Sequence, residues 1–170
     1  MMSAMPIEEK IHTAAQLFSR HGKRLLADDD LRHHLACYQS AIRQTGALME
    51  RLGVCAACAA CAAGERGSCC SSHVETWYDL DLLLVNLLVG ADLAEVRVRP
   101  EDCRFQGAAG CNLPARHYFC VHYLCPELRG RLAAEQMAVL VRAVGQEMAA
   151  AAQVERILRL TVCTVEAGAR

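Results

Sequence analysis

The chain has 170 residues, 18 basic and 19 acidic side chains, a net charge of −1 and 11 cysteines. That length suits one domain, residues 1–170, large enough to bury an ordinary core without disulfide staples. The balanced charge offers no basic stripe, which argues against nucleic acid and a membrane surface as partners and leaves a protein partner open.

The opening run Met-Met-Ser-Ala-Met-Pro-Ile-Glu-Glu-Lys lacks the charged-then-apolar plan of a secretory signal. The expected compartment is therefore the reducing cytoplasm, where structural disulfides are uncommon and clustered thiols point to metal or redox chemistry. Ile7, Ile11, Ala14, Phe18 and Leu25 recur at helical spacing and predict a first helix over 7–26. Asp28-Asp29-Asp30 supplies an N-cap and negative charge for a second. In it Leu31, Leu35, Tyr38, Ile42, Thr45, Met49 and Leu52 form an alternating four-three seam, closed by Gly53. Residues 7–52 thus read as a helical hairpin.

Residues 53–127 read as a cysteine-rich segment around a central helix, 74–89, that is apolar almost all round. The apolar run Leu80–Val89 contains Asp81 and Asn86 and is about half as long as a membrane span. The alanines of 54–73 favour partial helix. Residues 91–127 show no sustained period, with turns expected at Gly107–Gly110 and near Pro114. So long an irregular stretch is unusual in a compact domain, and ligation at its cysteines is one way to order it. A last helix, or pair of helices, covers 131–165, with Met137, Val141, Val144, Met148 and Ala151 on its seam and Gly145 as a weak point. No segment has a convincing strand period. The expected fold is all-α, a small helical bundle carrying a largely irregular metal-binding segment.

Nine cysteines fall into two clusters. The first is Cys55-Ala-Ala-Cys58-Ala-Ala-Cys61 followed by Cys69-Cys70; the second is Cys103, Cys111, Cys120 and Cys125. Cys37 and Cys163 stand apart inside helical patterns and read as small apolar side chains. Four thiolates suit zinc, but the second cluster lacks the CxxC knuckle of a zinc ribbon. The Cys55–Cys58–Cys61 spacing is that of a bacterial ferredoxin run, although Glu65 stands where the fourth cysteine would fall. Adjacent side chains diverge, so Cys69 and Cys70 need not bind one metal atom. Both cofactors remain open at this point.

The order of these signals resembles the CxxCxxCC proteins, the YkgJ-like zinc- or iron-chelating domain family. The resemblance rests on Cys55 to Cys61 with Cys69-Cys70, then Cys103-Arg-Phe-Gln-Gly, Gly110-Cys111-Asn-Leu, and Arg116-His-Tyr-Phe-Cys120-Val-His-Tyr-Leu-Cys125. It covers residues 55–126. The chain departs from the family in the seven residues between Cys61 and Cys69 and in Arg116-His117, where Arg-Pro is frequent. The related flagellin lysine methylase uses the motif for an iron–sulfur cluster in methyl transfer. The resemblance therefore implies a cluster, 4Fe-4S in type, with zinc as the alternative. It also implies that Cys69 or Cys70 joins Cys103, Cys111 and Cys120.

Arg116 is suited either to neutralise an anionic thiolate centre or to pair with Glu75 or Asp79. His73, His117 and His122 are candidate ligands or donors to thiolates, and equally ordinary edge histidines. Trp77, Tyr78, Tyr118 and Phe119 are expected to wall the centre from water. The sequence carries no phosphate loop, nucleophile motif or dinucleotide fingerprint. The expected function is metal binding for electron transfer, cluster handling or redox sensing. The alternatives are a zinc-stabilised interaction module and a cluster-dependent methyl-transfer or redox enzyme.

Overall fold

The computed structural model describes residues 5–64, 68–97, 99–108 and 110–167, with side chains up to Cys163. Glu65 and Ala109 lie outside the described residues, as do the first four residues. Helix α1, Ile7–Ala27, and helix α2, Asp29–Arg51, form the expected hairpin. Asp28 is the hinge between them: its Oδ1 accepts the Leu31 N–H at 2.8 Å and so starts α2. Leu31, Leu35, Tyr38, Thr45 and Met49 of the predicted seam are buried.

Helix α2 stops where Gly53 adopts φ +72°, a left-handed conformation that costs glycine little. The chain bends there by 75° into helix α3, Val54–Ala63, which buries only Val54. The single helix expected over 74–89 is two: a one-turn α4, Ser72–Glu75, and α5, Leu80–Leu88. The break has a local cause, since Asp79 Oδ1 accepts the Leu82 N–H at 2.9 Å and begins a fresh helix. Trp77 and Tyr78 therefore stand in a junction. Helix α5 is central as expected, burying Leu82 through Asn86 and Leu88.

Beyond it come a hairpin of two-residue strands, β1 Gln106–Gly107 and β2 Gly110–Cys111, and the short helices α6, Tyr118–His122, and α7, Pro126–Arg131. Strands so short carry no period for the sequence to reveal. The last described element is α8, Ala134–Ala167, unbroken at Gly145. Its seam differs from the expected one. Val141 is 50% exposed, and the buried positions are Leu140, Val144, Glu147, Val154, Leu158 and Thr161. The alanine-rich pattern admits more than one stripe, and Leu140 turns inward in place of Val141.

Helix α2 packs chiefly on α8 and α1 on α5. The core forms two clusters. One gathers Leu35, Tyr38, Leu83, Phe105, Val154 and Leu158; the other gathers Leu48, Met49, Val54, Val121, Leu140 and Val144.

Buried polar side chains order the irregular segment. The Glu75 carboxylate, 6% exposed, accepts the Arg104 N–H at 2.6 Å and pairs with Arg97 at 3.3 Å. Asn86, fully buried, grips Ala115 from both sides: Nδ2 donates to its carbonyl at 2.8 Å and Oδ1 accepts its N–H at 3.1 Å. Arg99 joins Asp102 at 2.9 and 3.1 Å and also donates to the Ala62 and Gly64 carbonyls, fastening the C-terminus of α3.

Candidate metal centre

Backbone pairing brings the distant cysteines together. The Cys103 N–H donates to the Cys70 carbonyl at 2.8 Å, the Ser72 N–H to the Glu101 carbonyl at 2.8 Å, and Ser71 bridges Asp102. The hairpin sets Cys111 opposite Gln106, three residues beyond Cys103. Cys120 arrives on α6, whose position follows from the Asn86 grip on Ala115 and from His117, which caps α6 with Nδ1 accepting the Phe119 N–H at 3.2 Å.

Tyr78 stands among these thiols. Its ring is 1% exposed and packs 5.3 Å from Phe105, and its hydroxyl accepts the His117 N–H at 3.3 Å. The same hydroxyl is within hydrogen-bonding reach of the Cys111 and Cys120 sulfurs. Two backbone N–H groups also serve sulfur, Phe105 toward Cys103 and Leu113 toward Cys111, each two residues downstream. Amide donors of this kind stabilise thiolates and metal-bound sulfur.

Burial governs the electrostatics. Cys103 is pushed up to about 11 by desolvation. Cys120 is pushed up to about 12 by desolvation and then by Cys111 and Cys103. Cys111 is raised for the same first reason, although the residue presents surface at the hairpin. Burial raises Tyr78 as well, reinforced by Cys111 and Cys120. Cys70 and Cys69 hydrogen-bond through their sulfurs. That bond draws Cys69 down to about 6 and pushes Cys70 up, so the proton resides on Cys70.

The remaining cysteines form a second neighbourhood. Cys55, Cys58 and Cys61 are exposed along α3, and Cys58 feels Cys69, Cys125, Cys55 and Cys61. Burial raises Cys58 and Cys55. The nine clustered cysteines thus divide into Cys103, Cys111 and Cys120 near Tyr78 with Cys70 beside Cys111 and Cys120, and Cys55, Cys58, Cys61 and Cys125 on and beside α3. Cys69 lies between the two. Among the described residues, no group of three or more His, Cys, Asp or Glu side chains is arranged to hold a metal ion as the side chains stand.

Arg116 makes neither expected ion pair. Glu75 is taken by Arg97 and the Arg104 N–H, and the Arg116 guanidinium rests 3.8 Å from Met49 Sδ. From there its charge favours ionisation of Cys55, Cys111 and Cys120. Trp77 packs edge-on against Phe119 at 4.9 Å and His73 at 5.4 Å. Tyr118 does not wall the centre: it is 55% exposed and stacks outward on His122. Cys37 and Cys163 are exposed, not core residues, and Cys37 Sγ lies 3.7 Å from His33 Nε2.

Three residues of this arrangement escape sequence reasoning. Tyr78 reads as packing, yet its hydroxyl is the polar group that Cys111 and Cys120 share. Asn86 carries a visible signal, a lone amide in an apolar run, and Arg99 carries none. No family model, curated protein or solved structure matches this chain. No single described helix is long and apolar enough to cross a membrane.

Proposed function

We propose that the chain is a cysteine-ligated metalloprotein. Its principal ligands are Cys103, Cys111 and Cys120 together with Cys70 or its neighbour Cys69. The cofactor is an iron–sulfur cluster of the 4Fe-4S type, and the role is electron transfer, cluster handling or redox sensing in the cytoplasm. The observation that carries this reading is that Cys111 and Cys120, from separate segments, share the Tyr78 hydroxyl, with Cys103 close enough to act on Tyr78 and Cys70 close enough to feel Cys111 and Cys120. Thiols that act on one another in this way, two of them met by backbone N–H groups, suit a cation that replaces their protons. The motif order shared with the CxxCxxCC proteins supports the same ligands. When bound, such a cluster supplies one-electron redox chemistry. The chain's own part is to hold the thiols, keep water from them through Tyr78, Phe105 and Leu113, and set a positive charge nearby through Arg116.

The same donor set satisfies tetrahedral zinc, and composition separates the two. Protein purified without oxygen should be brown, with matched iron and sulfide per chain. A colourless protein with stoichiometric zinc would replace the cluster by the zinc-stabilised module. Cys111→Ser and Cys120→Ser should each abolish stoichiometric metal, and full retention in both would defeat the assignment.

A further inference from the structure

Two polar side chains in the α2–α8 interface have no hydrogen-bond partner: the Tyr38 hydroxyl and both oxygens of Glu147. Tyr38 is 1% exposed and Glu147 0%. They sit where the two apolar clusters meet. Along α8, Leu140 and Val144 belong to one cluster and Val154 and Leu158 to the other, with Glu147 between. Along α2, Tyr38 belongs to one and Leu48 and Met49 to the other, with Thr45 between. The single hydroxyl hydrogen of Thr45 is directed to the Ala143 carbonyl at 3.4 Å, so Glu147 goes without it unless that long bond breaks.

An ionised carboxylate in such a place lacks both water and a counter-charge, and burial then favours the neutral acid. Burial raises the Glu147 pKa first of all, with Thr45 and Arg116 acting in the opposite direction. Burial likewise raises Tyr38, followed by Glu147, Glu155 and then Arg116, which lowers it. The groups acting here are therefore Tyr38 and Thr45 from α2, Arg116 from the approach to α6, and Glu155 on α8 itself. Asp79 and Asp81, at the start of α5, raise Glu155 in turn, and Arg159 opposes them there. No ion pair of Arg116 occurs among the described residues.

We propose that Glu147 and Tyr38 form a proton-binding site in the centre of the bundle, Glu147 held as the neutral acid and joined to the Tyr38 hydroxyl through one buried water. A water supplies two donors and two acceptors, which answers the three oxygens beyond what the Thr45 hydroxyl, shared with the Ala143 carbonyl, can give. The Arg116 charge acts on this site and on the thiols alike. The site stands on its own packing and does not depend on a metal being bound.

The sign of the pH dependence follows. A carboxyl whose folded pKa is raised contributes stability that is fully present below the ordinary carboxylate range. That stability is lost as pH rises through the folded value. Infrared spectroscopy of the full-length protein as purified should reveal a protonated-carboxyl stretch that persists at pH values where exposed carboxylates are ionised. Glu147→Gln should remove that band and flatten the matching loss of stability with rising pH. Tyr38→Phe should shift the band's frequency, and Arg116→Gln should move its titration to higher pH. Should Glu147→Gln not fold, the Tyr38→Phe shift decides the matter. Absence of the band from the wild-type protein, or a band indifferent to both Tyr38→Phe and Arg116→Gln, would overturn the proposal.

Discussion

Replacing Asn86 by alanine tests how the fold positions Cys120 and Arg116. The side chain is fully buried and holds the Ala115 carbonyl at 2.8 Å and the Ala115 N–H at 3.1 Å. Ala115 is itself 0% exposed, so water cannot take over either bond. A buried donor or acceptor left unsatisfied costs about 1–3 kcal/mol, giving about 2–6 kcal/mol for the two groups together. That is a large share of the roughly 5–15 kcal/mol that keeps a domain folded. Urea denaturation followed by circular dichroism should show a lower midpoint at unchanged slope. Hydrogen exchange should show the Ala115 amide losing protection ahead of α1 and α2. Asn86→Asp should be no rescue, because it sets a carboxylate oxygen against the Leu82 and Ala115 carbonyls that the amide now serves. A loss below about 1 kcal/mol for Asn86→Ala, the value of one ordinary hydrogen bond, would refute the view that this amide fastens the segment.

Gly53→Ala should destabilise by about 1–2 kcal/mol, since φ is +72° there and the space around it is open, leaving backbone strain as the sole cost; equilibrium unfolding measures it. The double change Cys37→Ala and Cys163→Ala should leave metal content unaltered and stability within about 0.5 kcal/mol, because both residues are exposed. Loss of metal in that variant would make them part of the function. Chelation should loosen residues 54–73 and 91–127 while α1, α2 and α8 keep their amide protection, because α2 packs directly on α8 and α1 on α5. Global loss of protection would show that the bundle cannot stand without metal.

The long helices were legible because their apolar residues repeat with the helical period over five or more turns, and α2 also announces its start through Asp28. The break at Asp79 was readable as an N-cap, but the apolar run on either side masks it. Glu147 was invisible for a different reason. A single acid in an alanine-rich helix reads as surface, and only the tertiary placement of α8 on α2 turns it inward. The protein groups that order residues 91–127 are hidden from sequence for a related reason. Thiols announce themselves in the sequence, and Glu75, Asn86 and Arg99 add to any ligation through partners 22 to 37 residues away that no spacing rule connects.

The most conspicuous motif is also the one least able to enclose a single ion. Within α3, successive cysteines at three-residue steps turn back by about 60° each and climb about 4.5 Å, so Cys55 and Cys61 lie about 9 Å apart along the axis. Neighbouring pairs on such a face can clamp one atom between them, but three cannot surround it. The remaining directions must come from elsewhere, and Cys69 and Cys125 are the thiols that approach Cys58. Cys70, Cys103, Cys111 and Cys120 face no such restriction, because each leaves a different stretch of backbone. A tetrahedral arrangement needs ligands that approach from four sides, which separated segments supply and a continuous helix does not. The diffuse second cluster, with its irregular spacing, is on this ground the stronger candidate for a closed centre. The regular first cluster is better suited to an open, partly solvated set of thiols that meets the buried one at Cys69 and Cys70.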